Sequence, residues 1–115
     1  MKISEIRDLI GAQLLVGDDL LESDVSYAFC SDMMSDVLAY VKDRGVMITG
    51  LVNPQVIRTA NMMDMVCVVF VRSKTPTEDM IELARECGIV VMRSGLRAYD
   101  ACGIVWGQFK CFCGG

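Results

Sequence analysis

Apolar residues follow one another without interruption in the middle of the chain, at residues 65–71 (MVCVVFV). A strand with one face in water alternates apolar and polar side chains, so this run predicts a strand covered on both faces. Such strands are typical of α/β proteins. The following residues agree, with a loop at 72–74, a helix at 75–87, a stop at Gly88 and a second apolar strand at 89–92. Together these elements form a predicted βαβ unit.

The remaining segments extend this alternation. The pattern predicts a helix at 5–10, strands at 14–16, 25–30 and 46–49, a helix from 32 to about 42, and a last helix at 96–109. Asn53 and Pro54 open another helix, because asparagine caps a helix well and proline is tolerated at its first position. The fold class is therefore α/β: a single three-layer domain with a mostly parallel sheet of about five strands flanked by helices. The domain is assigned to residues 1–109, and residues 110–115 to a flexible cysteine-containing C-terminal tail.

The composition favours self-association and argues against two classes of partner. Apolar residues make up 53% of the 115 positions, an excess that a small monomer would leave partly in water, so a homodimer is predicted. The net charge of −4, without a strong basic cluster, disfavours nucleic acid. The longest charge-free window, residues 46–57, is too short to span a membrane. Because no continuous apolar signal segment follows Met1, a cytoplasmic location is expected.

The inventory of reactive side chains is poor. Histidine is absent, which removes the commonest general base and a common zinc ligand. The 15 acidic residues fall mostly at helix starts or on polar helix faces, and the chain contains neither a Walker A string nor GxGxxG. The chain is therefore predicted not to be an enzyme.

Small polar residues follow several predicted strands, which is where open α/β sheets bind ligands at a switch in strand order. The predicted ligand-binding residues are Ser31, Asp32, Thr49, Asn53, Arg72 and Ser73. Helix N-termini beside them would offer unpaired N–H groups, and the guanidinium fork of Arg72 can hold a phosphate or carboxylate by two bonds. The expected ligand is a small anion. The alternative is that each turn is only a capped turn, as every fold of this class has.

The C-terminal residues hold a second candidate site. Cys111 and Cys113 lie two residues apart near the end of the chain, and two tails of a symmetric dimer could supply four thiolates to an iron–sulfur cluster or a zinc ion. A reduced tail without metal is the alternative. The other four cysteines fall inside apolar segments, where cysteine behaves as a small hydrophobic residue.

Several short strings, in order along the chain, resemble DRTGG-domain proteins. They are residues 2–6 (KISEI), 15–21 (LVGDDLL), 25–30 (VSYAFC), 31–39 (SDMMSDVLA), 48–49 (IT), 53–56 (NPQV), 89–92 (IVVM) and 98–99 (AY). The DRTGG string itself is absent, and residues 22–26 (ESDVS) stand near its place. The resemblance implies a fold similar to the N-terminal domains of HPr kinase/phosphorylase and Mur ligases.

The resemblance also implies a function. Such domains accompany phosphotransacetylase and CBS-containing pyrophosphatase domains as regulatory or dimer-forming modules. The first hypothesis is thus a non-catalytic regulatory and dimerisation module that senses a small anionic ligand, such as a nucleotide or a phosphorylated metabolite. Free-standing copies in anaerobes are sometimes labelled as iron–sulfur or hydrogenase-associated. The second hypothesis is therefore a redox or iron–sulfur accessory protein that uses Cys111 and Cys113 and partners a redox enzyme.

Overall fold

The computed structural model describes residues 1–40 and 44–113, without the side chains of Tyr40 and residues 109–113. Helices and strands alternate in the order that the sequence predicts. They are α1 (Ile3–Leu9), β1 (Gln13–Val16), β2 (Tyr27–Cys30), α2 (Met34–Tyr40), β3 (Gly45–Thr49), α3 (Pro54–Met62), β4 (Cys67–Phe70), α4 (Glu78–Cys87), β5 (Val90–Arg93) and α5 (Ala98–Cys113).

The strands form one five-stranded sheet in the order β1-β5-β4-β3-β2. Strands β2 to β5 are parallel, and β1 pairs antiparallel with β5 at one edge. The predicted class, a mostly parallel α/β sheet flanked by helices, is therefore confirmed. Strand β4 lies between β3 and β5, which is the interior position that the apolar run 65–71 predicts.

Two apolar clusters cover the two faces of the sheet. Helices α2, α3 and α4 pack on one face, where Val68 and Phe70 of β4 point, and helices α1 and α5 cover the other face, where Cys67 and Val69 point. All four side chains are fully buried. Because successive residues of a strand point to opposite faces, a strand buried on both faces needs apolar side chains at every position.

Two helices begin later than the sequence predicts. Helix α2 starts at Met34 instead of Asp32, and α4 starts after Thr77, whose Oγ1 accepts from the backbone N–H of Met80 at 3.3 Å. The residues at which the sequence predicts these two helices to begin are bonded elsewhere: the carboxylate of Asp32 turns toward the end of β3, and Thr75 Oγ1 accepts from Arg93 at 2.8 Å. Tertiary hydrogen bonds thus compete with local capping in the turns that follow the strands.

Helix α5 differs from its prediction at both ends. It begins at Ala98, and the buried hydroxyl of Ser94 before it donates to the carbonyl of Ile10 at 2.8 Å and accepts from the Leu96 N–H at 3.2 Å. Its backbone continues past Phe109 to Cys113, so it includes the first residues assigned to the tail, whereas 114–115 lie outside the described residues. Within the described ranges, no helix is both long enough and apolar enough to cross a membrane.

Candidate functional site

The four parallel strands all end on the same side of the sheet. The residues at and just after their carboxyl ends are here called the rim. Five of the six predicted ligand-binding residues lie at strand ends or directly after them: Ser31 and Asp32 follow β2, Thr49 ends β3, and Arg72 and Ser73 come just after β4. The sixth, Asn53, is the N-cap residue of α3. Because the strands are parallel and in register, the turns that follow them reach the same side of the sheet.

Asp32 links the turn after β2 to the end of β3. Its Oδ1 accepts a hydrogen bond from Thr49 Oγ1 at 2.9 Å and another from the Gly50 N–H at 2.8 Å. Thr49 is fully buried, and its hydroxyl oxygen also accepts from the Leu51 N–H at 3.1 Å. The carboxylate therefore satisfies a buried hydroxyl proton that would otherwise lack an acceptor.

The same contacts set the charge of this carboxylate. The Gly50 N–H lowers the pKa of Asp32 below its ordinary value, partial burial opposes this, and the Thr49 hydroxyl and the positive charge of Arg72 lower it further. Asp32 is therefore ionised at neutral pH and lies within the electrostatic reach of Arg72.

Arg72 lies against Gly50. A Cβ atom built on Gly50 would meet the guanidinium of Arg72, so the absence of a side chain at position 50 is what lets Arg72 lie there. Arg72 and the exposed Ser73 both adopt left-handed backbone conformations, with φ of 57° and 54°. Non-glycine residues pay for this conformation, so the surrounding contacts must hold the turn in place.

Two hydrogen bonds hold this turn to the loop that follows β5. The Arg72 N–H donates to the carbonyl of Leu96 at 2.7 Å, and the Ser73 N–H donates to the carbonyl of Ser94 at 2.9 Å. The two loops, residues 71–77 and 93–97, therefore form one unit of the rim. Since both N–H groups are used in this way, a ligand here would meet side chains more than free main-chain donors.

The joined loops carry a concentration of positive charge. They contain four cationic side chains and no acidic one, and the cations are Arg72, Lys74, Arg93 and Arg97. The protein as a whole has a net charge of −4. The predicted ligand-binding set includes Arg72 but neither Arg93, the last residue of β5, nor Arg97, because the hydrogen bonds that join the two loops are tertiary contacts.

The structure differs from the sequence prediction in the strand order at the rim and in the bonding of two predicted ligand-binding residues. The parallel strands follow one another in order across the sheet, so the expected switch in strand order does not occur among them. Ser31 and Asn53 bond within their own turns: Ser31 Oγ accepts from the Met33 N–H at 2.9 Å, and Asn53 Oδ1 accepts from the Gln55 N–H at 2.8 Å. The structure thus joins Asp32, Thr49 and Arg72 through Gly50, a residue that the predicted set omitted.

The cysteines divide into groups that the sequence did not separate. The side chains of Cys111 and Cys113 lie outside the described residues, so the metal site proposed for them stays a prediction. In the part of the chain that was searched, no group of three or more cysteine or acidic side chains is arranged to hold a metal ion. Cys67 is buried, as its apolar segment predicts, but Cys30 is exposed and Cys102 only partly buried. The expected burial of Cys30 is therefore wrong, whereas Cys102 packs against the apolar cluster that α1 and α5 cover.

A comparison with known protein families finds no match in sequence, and a comparison with curated proteins finds none either. Among solved structures, the chain is similar to the CBS and DRTGG domains of the regulatory region of Clostridium perfringens pyrophosphatase, complexed with the activator diadenosine tetraphosphate. The TM-score is 0.72 at 14% identity, over 90% of this chain and 45% of that one. This chain thus corresponds to less than half of that region, and the likeness is one of fold.

Proposed function

We propose that this protein is a non-catalytic regulatory module that binds a small anionic ligand, a nucleotide or a phosphorylated metabolite, at the rim. The observation that carries the proposal is the pair of hydrogen-bonded loops with four cationic side chains in an acidic protein. Local positive charge in a chain of the opposite net charge attracts anions to one place. Arg72 is the central residue, because its planar fork can bind two oxygens of a phosphate at once.

Asp32 has a supporting role in this proposal. Its carboxylate, fixed by Thr49 and Gly50, attracts Arg72 without using all five N–H donors of the guanidinium. A guanidinium oriented by a neighbouring carboxylate loses less freedom when a ligand binds, which favours affinity.

The fold likeness agrees with a regulatory role. The similar structure is a regulatory region, described as complexed with a nucleotide activator. A domain of the same architecture with a cationic rim suits the sensing of such a ligand. The sequence resemblance to DRTGG-domain proteins supports the same role, and the activator named for the similar structure, diadenosine tetraphosphate, is the first compound to test.

The direct test is a thermal-shift screen with diadenosine tetraphosphate, mononucleotides, inorganic phosphate and pyrophosphate. A ligand at a hundredfold excess over its dissociation constant stabilises a protein by about 2.7 kcal/mol, which for a domain of this size raises the melting temperature by roughly 10 °C. We expect at least one nucleotide or phosphorylated compound to do so, and less effectively at high salt. A screen in which no anionic compound shifts the melting curve would contradict the proposal.

We also propose that the protein is a homodimer and that α5 forms the interface. Tyr99, Gly103 and Trp106 are spaced as one face of a helix, and the exposed fractions of Tyr99 and Trp106 are 88% and 63%. Met62, another exposed apolar residue, lies at the end of α3 on the opposite face of the sheet. It therefore cannot belong to the same patch, and α5 offers the larger exposed apolar surface.

The oligomeric state tests this interface. Light scattering on the wild-type chain at micromolar concentration should give the mass of a dimer, and Tyr99→Asp should shift it to a monomer because the charge would be desolvated at the interface. Met62→Asp is the control, at an apolar position that is 67% exposed on the other side of the sheet, and should remain dimeric. A wild-type monomer, or equal effects of the two substitutions, would rule out the α5 interface.

A further inference from the structure

Cys30 and Cys102 meet in a groove between the edge strand β2 and helix α5. Cys30 is the last residue of β2 and is exposed, whereas Cys102 lies near the start of α5 and is partly buried. The groove has a volume of about 300 Å³. Beside the two cysteines, its lining residues are Ser26, Tyr27, Ala28, Ile48 and Trp106. The two thiols thus come from elements far apart in the sequence and share one apolar surface that opens to solvent.

Cys30 also influences the ionisation of the Cys102 thiol. Burial, a side-chain hydrogen bond with Cys30 and the charge of Cys30 together raise the pKa of Cys102 to about 12, with burial the largest cause. Such an interaction requires the two thiols to be neighbours. Small residues beside them, Ala28 on β2 and Ala101 on α5, favour a close approach of the helix to the strand.

The other described cysteines make no such pair. Cys67 is fully buried in β4, and burial alone raises the pKa of its thiol. Cys87 ends α4 and packs with the cluster on the opposite face of the sheet. Among the cysteines whose side chains the structure describes, Cys30 and Cys102 are therefore the pair placed for joint chemistry.

We propose that Cys30 and Cys102 form a thiol–disulfide exchange site whose co-reactant is a low-molecular-weight disulfide, such as oxidised glutathione. The exposed Cys30 loses its proton to water, and its thiolate attacks one sulfur of the small disulfide. That S–S bond breaks, a mixed disulfide forms on Cys30, and the first small thiolate leaves. Cys102 then loses its proton and attacks the Cys30 sulfur, which releases the second small thiolate. The two protein thiols are oxidised by two electrons, and the small disulfide is reduced to two thiols.

The order of the two attacks follows from the environment of each sulfur. Cys30 is the accessible thiol and meets the co-reactant first. Burial raises the pKa of Cys102, so this thiol reacts second, and the Cys30 sulfur of the mixed disulfide lies beside it in the same groove. The resulting Cys30–Cys102 bond would link α5 to the edge strand and narrow the groove.

The experiment equilibrates the full wild-type chain with mixtures of oxidised and reduced glutathione, traps free thiols by alkylation and maps the products by mass spectrometry. We expect a peptide pair joined through Cys30 and Cys102 to accumulate as the oxidised fraction rises, with a loss of two titratable thiols per chain. The melting temperature should rise on the order of 10 °C, because the bond closes a long loop of the unfolded chain.

Three variants make the result decisive. Cys102→Ser should accumulate glutathione on Cys30, since the second attack is missing, and Cys30→Ser should leave Cys102 mostly reduced. Cys87→Ser is the matched control and should form the Cys30–Cys102 bond as the wild type does. The proposal is overturned if Cys30 stays reduced under conditions that oxidise Cys87. It is also overturned if Cys30 in the wild type remains bonded to glutathione or is joined to a cysteine of a second chain.

Discussion

Replacement of Val69 by aspartate should cost the protein about 4 kcal/mol or more of its unfolding free energy. Val69 is fully buried in the interior strand β4, within the cluster that α1 and α5 cover. The substitution removes buried apolar surface and places a carboxyl group where no hydrogen-bond partner is at hand. Since the unfolding free energy of small domains is only about 5–15 kcal/mol, the variant should lose a large part of its stability. Urea unfolding followed by circular dichroism measures the loss.

The dependence of this loss on pH identifies the buried charge as its cause. The folded state raises the pKa of such an aspartate above its unfolded value, so the variant is destabilised most above the folded pKa and least below the unfolded one. Val69→Thr is the matched control, because it has the same shape and no charge. It should cost about 1–3 kcal/mol and show no such dependence. An aspartate variant with an unchanged unfolding midpoint would show that β4 is not an interior strand.

Replacement of Arg72 by alanine should abolish the thermal shift caused by the anionic ligand while the unliganded protein melts nearly as the wild type does. The side chain is exposed, and its backbone N–H bond to Leu96 is unaffected by the change. Exposed substitutions of this kind usually alter stability by no more than about 0.5 kcal/mol. The loss of a bidentate phosphate contact removes binding energy that Lys74, a point charge on the same loop, cannot replace. Thermal-shift titrations and calorimetry provide the measurement.

Two further variants separate the position of Arg72 from its charge. Gly50→Ala keeps all charges but introduces a methyl group where the guanidinium lies, so the arginine must move and ligand affinity should fall. Lys74→Ala removes a positive charge from the same loop but leaves the guanidinium of Arg72 in place, and it should weaken binding less than Arg72→Ala. If Lys74→Ala and Arg72→Ala weaken binding equally, only the net charge of the rim matters. A full thermal shift in Arg72→Ala would place the ligand elsewhere.

Much of the fold could be predicted from the sequence because the signals that carry it are local. The uninterrupted apolar run 65–71 requires burial on both faces, and only a central strand covered by helices provides this. The alternation of strands and helices then implies parallel pairing, because each crossover helix returns the chain to the same end of the sheet. The antiparallel pairing of β1 with β5 could not be predicted in this way, since a four-residue strand carries no signal for its partner.

In the candidate site, local sequence signals do not predict the hydrogen-bond partners of the side chains. Asp32 and Thr75 have the residue types of helix caps, yet Asp32 bonds to the end of β3 and Thr75 to Arg93. A cap and a tertiary contact compete for the same oxygen, and the difference between them is small compared with the packing energy that positions the turns.

By itself, the sequence determined the fold class, the order of the elements and the interior position of β4, because burial and hydrogen bonding constrain these through residues close together in the chain. Only the tertiary structure decided that Arg72 lies against Gly50 and that the turns after β4 and β5 join their cationic side chains. The same holds for Cys30 and Cys102, which share one groove. Residues distant in sequence meet only after the sheet has formed and α5 has packed on it, and no local pattern records those distances.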